Sequence, residues 1–408
     1  MIPLEQAQDF VLGSCGPLAP VELPIAQCLS AVAAEDVHAG EPVPPFDNSA
    51  MDGFALRHED TTDAPVDLAL VGTVAAGSSR QEPIGPKEAV RIMTGAPIPP
   101  GADAVVMVEN SESVLAQDGT EMVRILLPAA AADHIRRAGS DLARGEMVMR
   151  QGTVLTPAHL GVMASVGKAS LKVFPSPRVG VLSTGDELVR PGVPLSYGQI
   201  RDSNRVALLA SVKASGFEPV DLGSAPDDPI AIESALAGAT ELCDAVITSG
   251  GVSVGDFDHT KVVLDRLGGG SVRWMQVAIK PAKPFAFGLI SNVPVFALPG
   301  NPVSSLVSFE CFARPALRQM AGYSDLWRQR ALAIADEDLP RKSDGKLHFA
   351  RVTAEMGEDG TYHIRSAGGQ SSHQLGSMAG SNALALVPDG NGIRSGERVK
   401  VWLLRCGS

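Results

Sequence analysis

Apolar residues recur at helical spacing in two short regions of the first half of the chain. The first region lies near the N-terminus and ends at Gly13, with one apolar face made of Leu4, Ala7, Phe10 and Val11. The second lies at about 156–166, where Thr156 and Pro157 form a typical helix start. We also expect a helix from about 24 to 35. Together these helices predict a helical or mixed connecting domain formed by residues 1–40 and 141–175.

The pattern between residues 41 and 140 is typical of β structure. Short runs rich in Val and Ile are separated by Pro and Gly, and the clearest are Val66–Val71, Val105–Val108 and Met122–Leu127. This segment interrupts the two parts of the connecting domain. We therefore expect an inserted β-rich domain over 41–140.

From residue 176 to 326 the chain repeats a strand, a loop and a helix. The predicted strands are Arg178–Leu182, Ala245–Thr248 and Val293–Leu298, and the predicted helices are 203–215, 258–267 and 303–320. Such repeats form a parallel sheet with right-handed crossovers, and ligands bind beyond the carboxyl ends of its strands. The loops that follow the three strands should therefore meet at one edge of the sheet.

The last part of the chain, 327–408, returns to short alternating runs that predict a β-barrel or a sandwich. The expected fold class is therefore multidomain α/β plus β. It combines a three-layer α/β domain with a parallel sheet, the inserted β-rich domain, the connecting domain and a C-terminal barrel-like domain.

Composition narrows the classes of function. The chain has 408 residues, a net charge of −12 and 45% hydrophobic residues, which excludes a disordered chain. Its acidic balance argues against a nucleic-acid or membrane-surface partner, because both need clustered Lys and Arg. Five cysteines without a CxxC pair, and an N-terminus without a signal peptide, favour a reducing cytoplasm.

The glycine-containing loops are the first candidate for chemistry. Ser249, Gly250, Gly251 and Ser253 follow the second predicted strand, in a segment that ends at Asp256. Closely spaced glycines let backbone N–H groups approach an anion, which predicts a phosphate site. A plain strand-to-helix turn is the alternative.

Acidic residues are concentrated on the same loops and on their connections, at Asp186, Glu187, Asp202, Asp227, Asp228, Asp256 and Asp258. Carboxylates beside phosphate-binding backbone favour a hard divalent cation, most often Mg²⁺. Helix capping is the alternative for one or two of them, Asp258 in particular.

Other segments permit two interpretations each. Lys280 and Lys283 lie in a proline-stiffened segment that either holds two ammonium groups in place or is a solvated loop. The segments 45–55 and 91–97 are either functional loops or sets of turns.

Neither a Ser-His-Asp order nor an activated cysteine is visible. From the residues alone, we expect a magnesium-dependent enzyme that acts on a phosphorylated small molecule.

Six segments in order resemble the molybdopterin molybdenumtransferase family, the MoeA-type proteins that include the gephyrin E domain. They are Phe46–Gly53, Arg91–Ala96, Ser183–Leu188, Ser249–Gly255, Ile279–Pro284 and Leu298–Ser304. The resemblance extends from about residue 4 to 404. It implies a homodimer in which adenylylated molybdopterin binds with Mg²⁺, molybdate is inserted at the dithiolene and AMP is released.

The resemblance also implies roles for individual residues. The loops with Thr184, Gly185, Asp186 and Glu187, and with Ser249, Gly250, Gly251 and Ser253, would hold the pterin phosphate and the nucleotide. The acids at Asp186, Asp227 and Asp258 would hold the metal, and Asp227 and Asp258 also match substrate-binding positions. The molybdate pocket would comprise Lys280, Lys283, Ser304, Arg351 and Ser372. The neighbouring subunit would contribute Asp52 and Thr94, and the catalytic set would be Asp52, Thr94, Glu187, Asp227, Asp258 and Lys280.

One position departs from the family pattern. Gln276 stands four residues before Lys280, where many relatives have a further lysine, so the preference for the oxyanion is open. The alternatives are a gephyrin-like interaction scaffold, a tungstate-preferring paralogue, and a molybdopterin adenylyltransferase. An adenylyltransferase is also a candidate partner of the predicted enzyme.

Overall fold

The computed structural model describes residues 1–78, 80–251 and 259–404. These residues form two compact units. The larger unit comprises Met1–Glu22, Ser30–Ala34 and the chain from Lys172 onward, and the smaller unit comprises Leu23–Leu29 and Glu35–Leu171. The division into four domains with the expected boundaries stays a prediction.

Within the described residues, the α-helices are α1 (Leu4–Gly13), α2 (Pro157–Ser165), α3 (Ser203–Ala214), α4 (Pro229–Leu242), α5 (His259–Leu267), α6 (Pro302–Ser308), α7 (Arg314–Met320) and α8 (Leu375–Ala379). A π-helical turn, Phe309–Ala313, joins α6 to α7. None of these helices combines the length and the apolar character that crossing a membrane requires.

The strands up to residue 174 are β1 (Val21–Pro24), β2 (Val32–Ala33), β3 (Val37–His38), β4 (Asn48–Ser49), β5 (Gly53–Leu56), β6 (Val66–Val74), β7 (Glu88–Ile92), β8 (Ala104–Met107), β9 (Ser111–Leu115), β10 (Glu121–Ile125), β11 (Ile135–Arg136), β12 (Met147–Met149) and β13 (Ser170–Phe174). Those that follow are β14 (Arg178–Thr184), β15 (Leu188–Val189), β16 (Ile200–Arg201), β17 (Glu218–Ala225), β18 (Ala245–Ser249), β19 (Arg273–Gln276), β20 (Ile279–Lys280), β21 (Pro284–Ile290), β22 (Val293–Leu298), β23 (Arg330–Ala335), β24 (Leu339–Pro340), β25 (Leu347–Met356), β26 (Tyr362–Ser366), β27 (Ala383–Val387), β28 (Gly392–Ile393) and β29 (Arg398–Leu403).

One expected helix is wrong. The region 24–35 contains a single 3₁₀ turn, Ile25–Gln27, followed by the strand β2. Ser30 adopts a φ of 64°, which a right-handed helix cannot accommodate, and Pro24 has an extended ψ of 140°. The expected helices near 4–13 and 156–166 are confirmed as α1 and α2, and Thr156 caps α2.

The smaller unit is built on a six-stranded sheet with the order β8-β5-β7-β6-β10-β9. Successive residues of β5 bury their side chains on opposite faces: Phe54 and Leu56 join one apolar cluster, and Ala55 joins the other. The β-rich prediction for this part of the chain is therefore confirmed.

The larger unit contains a six-stranded sheet with the order β17-β14-β18-β22-β21-β19. Its first four strands are parallel, and β21 and β19 run antiparallel to their neighbours. Side chains alternate between two cores: Ile247 packs with α3 and α6, whereas Val246 packs with α4 and α5. The expected three-layer α/β domain is confirmed, with an antiparallel edge added to the parallel sheet.

The C-terminal strands close into a five-stranded barrel. The order β25-β26-β23-β29-β27 is closed by pairing between β27 and β25. Small side chains fill the narrow interior, among them Ala333, Ala335, Ala383 and Ala385. This result confirms a barrel rather than a sandwich.

A buried ion-pair cluster fixes the start of α3 beneath the edge of the parallel sheet. Asp202 is 2% exposed and accepts hydrogen bonds from the Arg205 backbone N–H at 3.1 Å and from the Ser183 hydroxyl at 3.0 Å. Its second oxygen pairs with Arg205 Nε at 2.8 Å, and Arg205 also pairs with Asp221. Asp202 is thus a structural cap rather than an available metal ligand.

Asp202→Ala should lower the free energy of unfolding by about 3 kcal/mol, near the lower end for a broken buried pair, because Arg205 keeps Asp221. Asp228 caps α4 at an exposed position, so Asp228→Ala should cost only about 1 kcal/mol. Urea unfolding of both variants measures the difference. Equal costs would contradict a buried ion pair that stabilises this edge.

Candidate functional site

The loops that follow β14, β18 and β22 meet at one edge of the sheet, as the sequence predicts. Thr184, Ser249, Gly250 and Gly300 line a common cavity of about 250 Å³ there, which we call the glycine-loop cavity. Thr184 and Ser249 are almost fully buried beneath it. Ser253 and Asp258, two further predicted site residues, lie outside the described residues.

Close backbone packing requires the glycines of the second loop. A Cβ on Gly250 would lie 2.8 Å from the Thr184 carbonyl oxygen, and a Cβ on Gly251 would lie 2.3 Å from the Thr260 side chain. Both residues also have a positive φ, 101° and 71°. Packing and backbone conformation therefore require glycine at both positions, whether or not the cavity binds an anion.

Asn204 holds two of the loops together and was not identified from the sequence. Its Nδ2 donates to the Ser249 hydroxyl at 2.8 Å and to the Gly300 carbonyl at 2.7 Å. The only signal was its place in the polar run at the start of α3. The hydrogen bonds show that this run faces the cavity.

Three predicted acids lie exposed at the rim of the same edge. Glu187 lines the glycine-loop cavity, and the Asp227 backbone N–H donates to Asp186 Oδ1 at 3.0 Å. This bond leaves the second oxygen of Asp186 and the carboxylate of Asp227 open to solvent. Within the described ranges, no three His, Cys, Asp or Glu side chains group into a metal site.

A second cavity, of about 540 Å³, contains four of the five residues predicted to bind molybdate. Lys280, Lys283, Ser304 and Ser372 all line it, and we call it the two-lysine cavity. Both lysines are exposed, and neither has an ion-pair partner among the described residues. The two ammonium groups thus share one cavity while both remain in contact with solvent.

Lys346 is a further cation of the two-lysine cavity that the sequence analysis missed. Its Nζ pairs with Asp344 at 2.9 Å. Gln276, where a lysine was expected, pairs with Pro284 on β19 and β21, outside the lining of this cavity. Lys346, directly before β25, thus adds a cation to this cavity at a different place from position 276.

Arg351 lies behind the two-lysine cavity rather than on its surface. It is 0% exposed, its Nε donates to the Ser377 hydroxyl at 2.8 Å, and its Nη2 donates to the Gly369 carbonyl at 2.7 Å. Burial lowers the pKa of this guanidinium, and its Nη1 has no hydrogen-bond partner among the described residues. The structure therefore places Arg351 where it holds the 369–372 loop.

Asp52 and Thr94 lie together in the smaller unit. The Thr94 backbone N–H and hydroxyl donate to Asp52 Oδ1 at 2.7 and 3.0 Å. The backbone hydrogen bond has the larger effect, and together the two bonds hold the pKa of Asp52 below its usual range. The Gly95 backbone N–H also donates to the Ser49 carbonyl, so the two polar loops of this unit are neighbours.

Three family models match successive parts of the chain. They are the MoeA N-terminal region (domain I and II) over residues 2–167, a probable molybdopterin binding domain over 180–319, and the MoeA C-terminal region (domain IV) over 333–404. Together they follow the order of the structural parts described above.

Known proteins match over nearly the whole chain. A molybdopterin molybdenumtransferase of Haemophilus influenzae is 40% identical, with 98% of each chain covered. That of Bacillus subtilis is 34% identical over 91% of this chain and 87% of its own. The crystal structure of a molybdopterin biosynthesis MoeA protein from Pyrococcus horikoshii superposes with a TM-score of 0.82 at 31% identity, and all of both chains is covered. The chain therefore belongs to the molybdopterin molybdenumtransferases, a family of enzymes of molybdenum cofactor biosynthesis.

Proposed function

We propose that the chain inserts molybdate into adenylylated molybdopterin and releases AMP. One observation supports this most strongly: the segment 299–304, which leads from β22 into α6, lines two cavities with alternate residues. Gly300 and Pro302 line the glycine-loop cavity, whereas Pro299, Asn301 and Ser304 line the two-lysine cavity. A phosphate-bearing substrate and an oxyanion can therefore bind side by side.

The glycine-loop cavity holds the phosphate and nucleotide part of the substrate. Thr184 and Ser249 offer hydroxyl groups to the cavity. The backbone N–H groups of Gly185 and Gly250 donate to the carbonyls of Ala225 and Leu298, so these glycines shape the loops rather than supply the donors. Ser253 belongs to the same predicted set. Neutral donors of this kind bind phosphate without placing a positive charge on the cavity wall.

The two-lysine cavity holds molybdate. The ammonium groups of Lys280 and Lys283 oppose the two negative charges, and the hydroxyl groups of Ser304 and Ser372 supply further donors. Arg351 acts by positioning: it fixes the loop that carries Ser372 through the Gly369 and Ser371 carbonyls. The loop is also tied to α6, because the Val303 backbone N–H donates to the Ser372 carbonyl.

Asp186 and Asp227 fit a magnesium ion shared with substrate phosphates. Mg²⁺ is typically held by one or two carboxylates, with waters and phosphate oxygens completing its octahedron. Both residues are exposed, and the Asp227 backbone N–H donates to the Asp186 carboxylate. Asp258 is the third predicted ligand. When bound, the ion would neutralise negative charge on the pyrophosphate.

The reaction balances with water and protons. The two dithiolene sulfurs displace oxygen from molybdate, and that oxygen leaves as water with the protons of the thiols. Water cleaves the pyrophosphate bond and gives AMP and the phosphate-bearing product. Glu187, on the rim of the glycine-loop cavity, takes the proton of the attacking water, and Lys280 Nζ holds a proton towards the oxyanion.

A homodimer completes the proposed site. Asp52 is exposed on its own unit, stays ionised because of Thr94, and is held in one orientation by two hydrogen bonds. An ordered surface carboxylate of this kind is suited to a neighbouring subunit's site. The chain would receive its substrate from a molybdopterin adenylyltransferase.

Purified chain supplied with adenylylated molybdopterin, Mg²⁺ and molybdate should release AMP, measured by chromatography. Sulfate is the matched control, because it is also a tetrahedral dianion but does not form a dithiolene complex. Tungstate in a third arm measures the preference between metals. No AMP with every component present would refute the enzyme proposal, and stoichiometric binding of a protein partner without AMP would favour the scaffold.

Lys283→Ala should raise the molybdate concentration for half-maximal AMP release about tenfold, since one charge-assisted contact is lost. The KM for adenylylated molybdopterin should change little, because Lys283 lines only the two-lysine cavity. Lys400→Ala removes an exposed lysine on β29 and is the control. A parallel rise of both constants would remove the oxyanion role of Lys283.

Asp186→Asn should raise the Mg²⁺ concentration required for AMP release about tenfold, because a metal-binding charge is lost while the acceptor for the Asp227 N–H remains. Asp228→Asn, which keeps the cap of α4, is the control. Mn²⁺ binding followed by electron paramagnetic resonance gives a readout that does not depend on turnover. Unchanged Mn²⁺ affinity in Asp186→Asn would exclude it as a ligand.

A further inference from the structure

The largest of the three cavities has no role in the proposal so far. It measures about 690 Å³ and lies between the start of the barrel and the segment Lys280–Pro281. We call it the barrel cavity. Its volume is within the range of small-molecule sites, and its walls are mostly apolar, with Leu339, Pro340, Ala350 and Val387 among them.

The barrel cavity borders the two-lysine cavity. Lys280, Pro281 and Gln370 line both. Since the segment 299–304 lines both the two-lysine cavity and the glycine-loop cavity, the three cavities form one series with the two-lysine cavity in the middle. A ligand longer than any one cavity can therefore extend from the glycine loops to the barrel.

The order of groups in the proposed substrate matches this series. In adenylylated molybdopterin the dithiolene lies between the phosphate-bearing arm and the pterin bicycle. If the phosphates occupy the glycine-loop cavity and the dithiolene meets molybdate at the two lysines, the pterin extends towards the barrel. This placement of the pterin rests on the proposed function.

The charged side chains of the barrel cavity pair with one another, except Asp338 and the two exposed lysines, Lys280 and Lys342, among the described residues. Asp344 pairs with the cations Arg341 and Lys346 and contacts the His348 imidazole, and Arg341 also pairs with Asp389. Asp338 is exposed at the cavity and has no cationic partner among the described residues. Its Oδ1 accepts the Ser395 backbone N–H at 2.8 Å, which orients the carboxylate.

An oriented carboxylate at the edge of an apolar cavity is suited to the pyrimidine edge of a pterin. That edge carries a ring N–H and an amino group side by side, two donors that one carboxylate can accept together. The flat bicycle would lie against the apolar walls. Lys342, which is exposed, would remain on the side of the cavity that faces solvent, and Lys280 would stay with the oxyanion in the two-lysine cavity.

We propose that the barrel cavity binds the pterin ring of the substrate and that Asp338 recognises its pyrimidine edge. The C-terminal barrel then has two roles: it carries the 369–372 loop, and it recognises the substrate. The binding of the pterin is separate from that of the nucleotide, so the two halves of the substrate occupy independent sites.

The test uses 6-hydroxymethylpterin, which carries the pyrimidine edge but neither phosphate nor dithiolene, and follows its fluorescence on titration with the full chain. Asp338→Asn keeps an acceptor for the Ser395 N–H and should weaken binding about tenfold or more, as expected for a lost charge-assisted pair. Glu355→Gln removes an exposed carboxylate of the same barrel, outside the cavity, and should bind as the unchanged chain does. AMP added at saturation should not displace the pterin.

Three outcomes overturn the inference: no pterin binding by the unchanged chain, equal affinity in Asp338→Asn, or displacement of the pterin by AMP. The AMP-release assay on the same preparations separates this inference from the proposed function. Turnover with unchanged substrate KM in Asp338→Asn would refute the pterin site alone. Pterin binding that depends on Asp338 without any AMP release would refute the reaction alone.

Discussion

The pairing of β20 with β25 is the contact on which the arrangement of the larger unit's cavities depends. Ile279 pairs with Leu347 and Lys280 with His348, and the Leu347 backbone N–H donates to the Ala278 carbonyl at 2.9 Å. A few hydrogen bonds contribute only about 1 kcal/mol each. The segment is held mainly because the side chains beside it, Val277 and Ile279, are fully buried in the core beneath the sheet. Its lysine is thereby fixed between the α/β domain and the barrel.

Two buried arginines of the barrel show how charge is distributed around that contact. Arg341 is 3% exposed at its side chain and is neutralised by Asp344 and Asp389. Burial opposes ionisation of Asp344, but hydrogen bonds and charges from Lys346 and His348 outweigh it and lower its pKa to about 2. Arg351 is buried without a carboxylate among the described residues. Its charge is therefore uncompensated behind the loop that lines the two-lysine cavity, which favours an anion there.

Local sequence patterns predicted strands and helices well where a single requirement, such as burial on both faces of a sheet, determined the residues. Strands such as β18 and β22 were visible because buried parallel strands need continuous apolar runs. The helix expected at 24–35 was wrong, because the apolar residues there fit a helix whereas the backbone passes through a positive φ at Ser30. The glycines at 250 and 251 were singled out as an anion site, which stays a prediction, and their packing against Thr184 and Thr260 is a reason that sequence spacing does not contain. Asp202 was grouped with the candidate metal ligands, because the sequence does not show that Arg205 is its buried ion-pair partner.

By itself, the sequence determined the order of the structural parts, the family and most of the residues placed around the glycine-loop and two-lysine cavities. These depend on local composition and on motifs in which neighbouring residues act together. Only the tertiary structure decided that Arg351 lies behind its loop, that Asn204 joins two loops, and that Lys280 lines two cavities at once. Each of these depends on contacts between segments far apart in the chain, because burial and cavity walls are properties of the packed fold and not of any one segment.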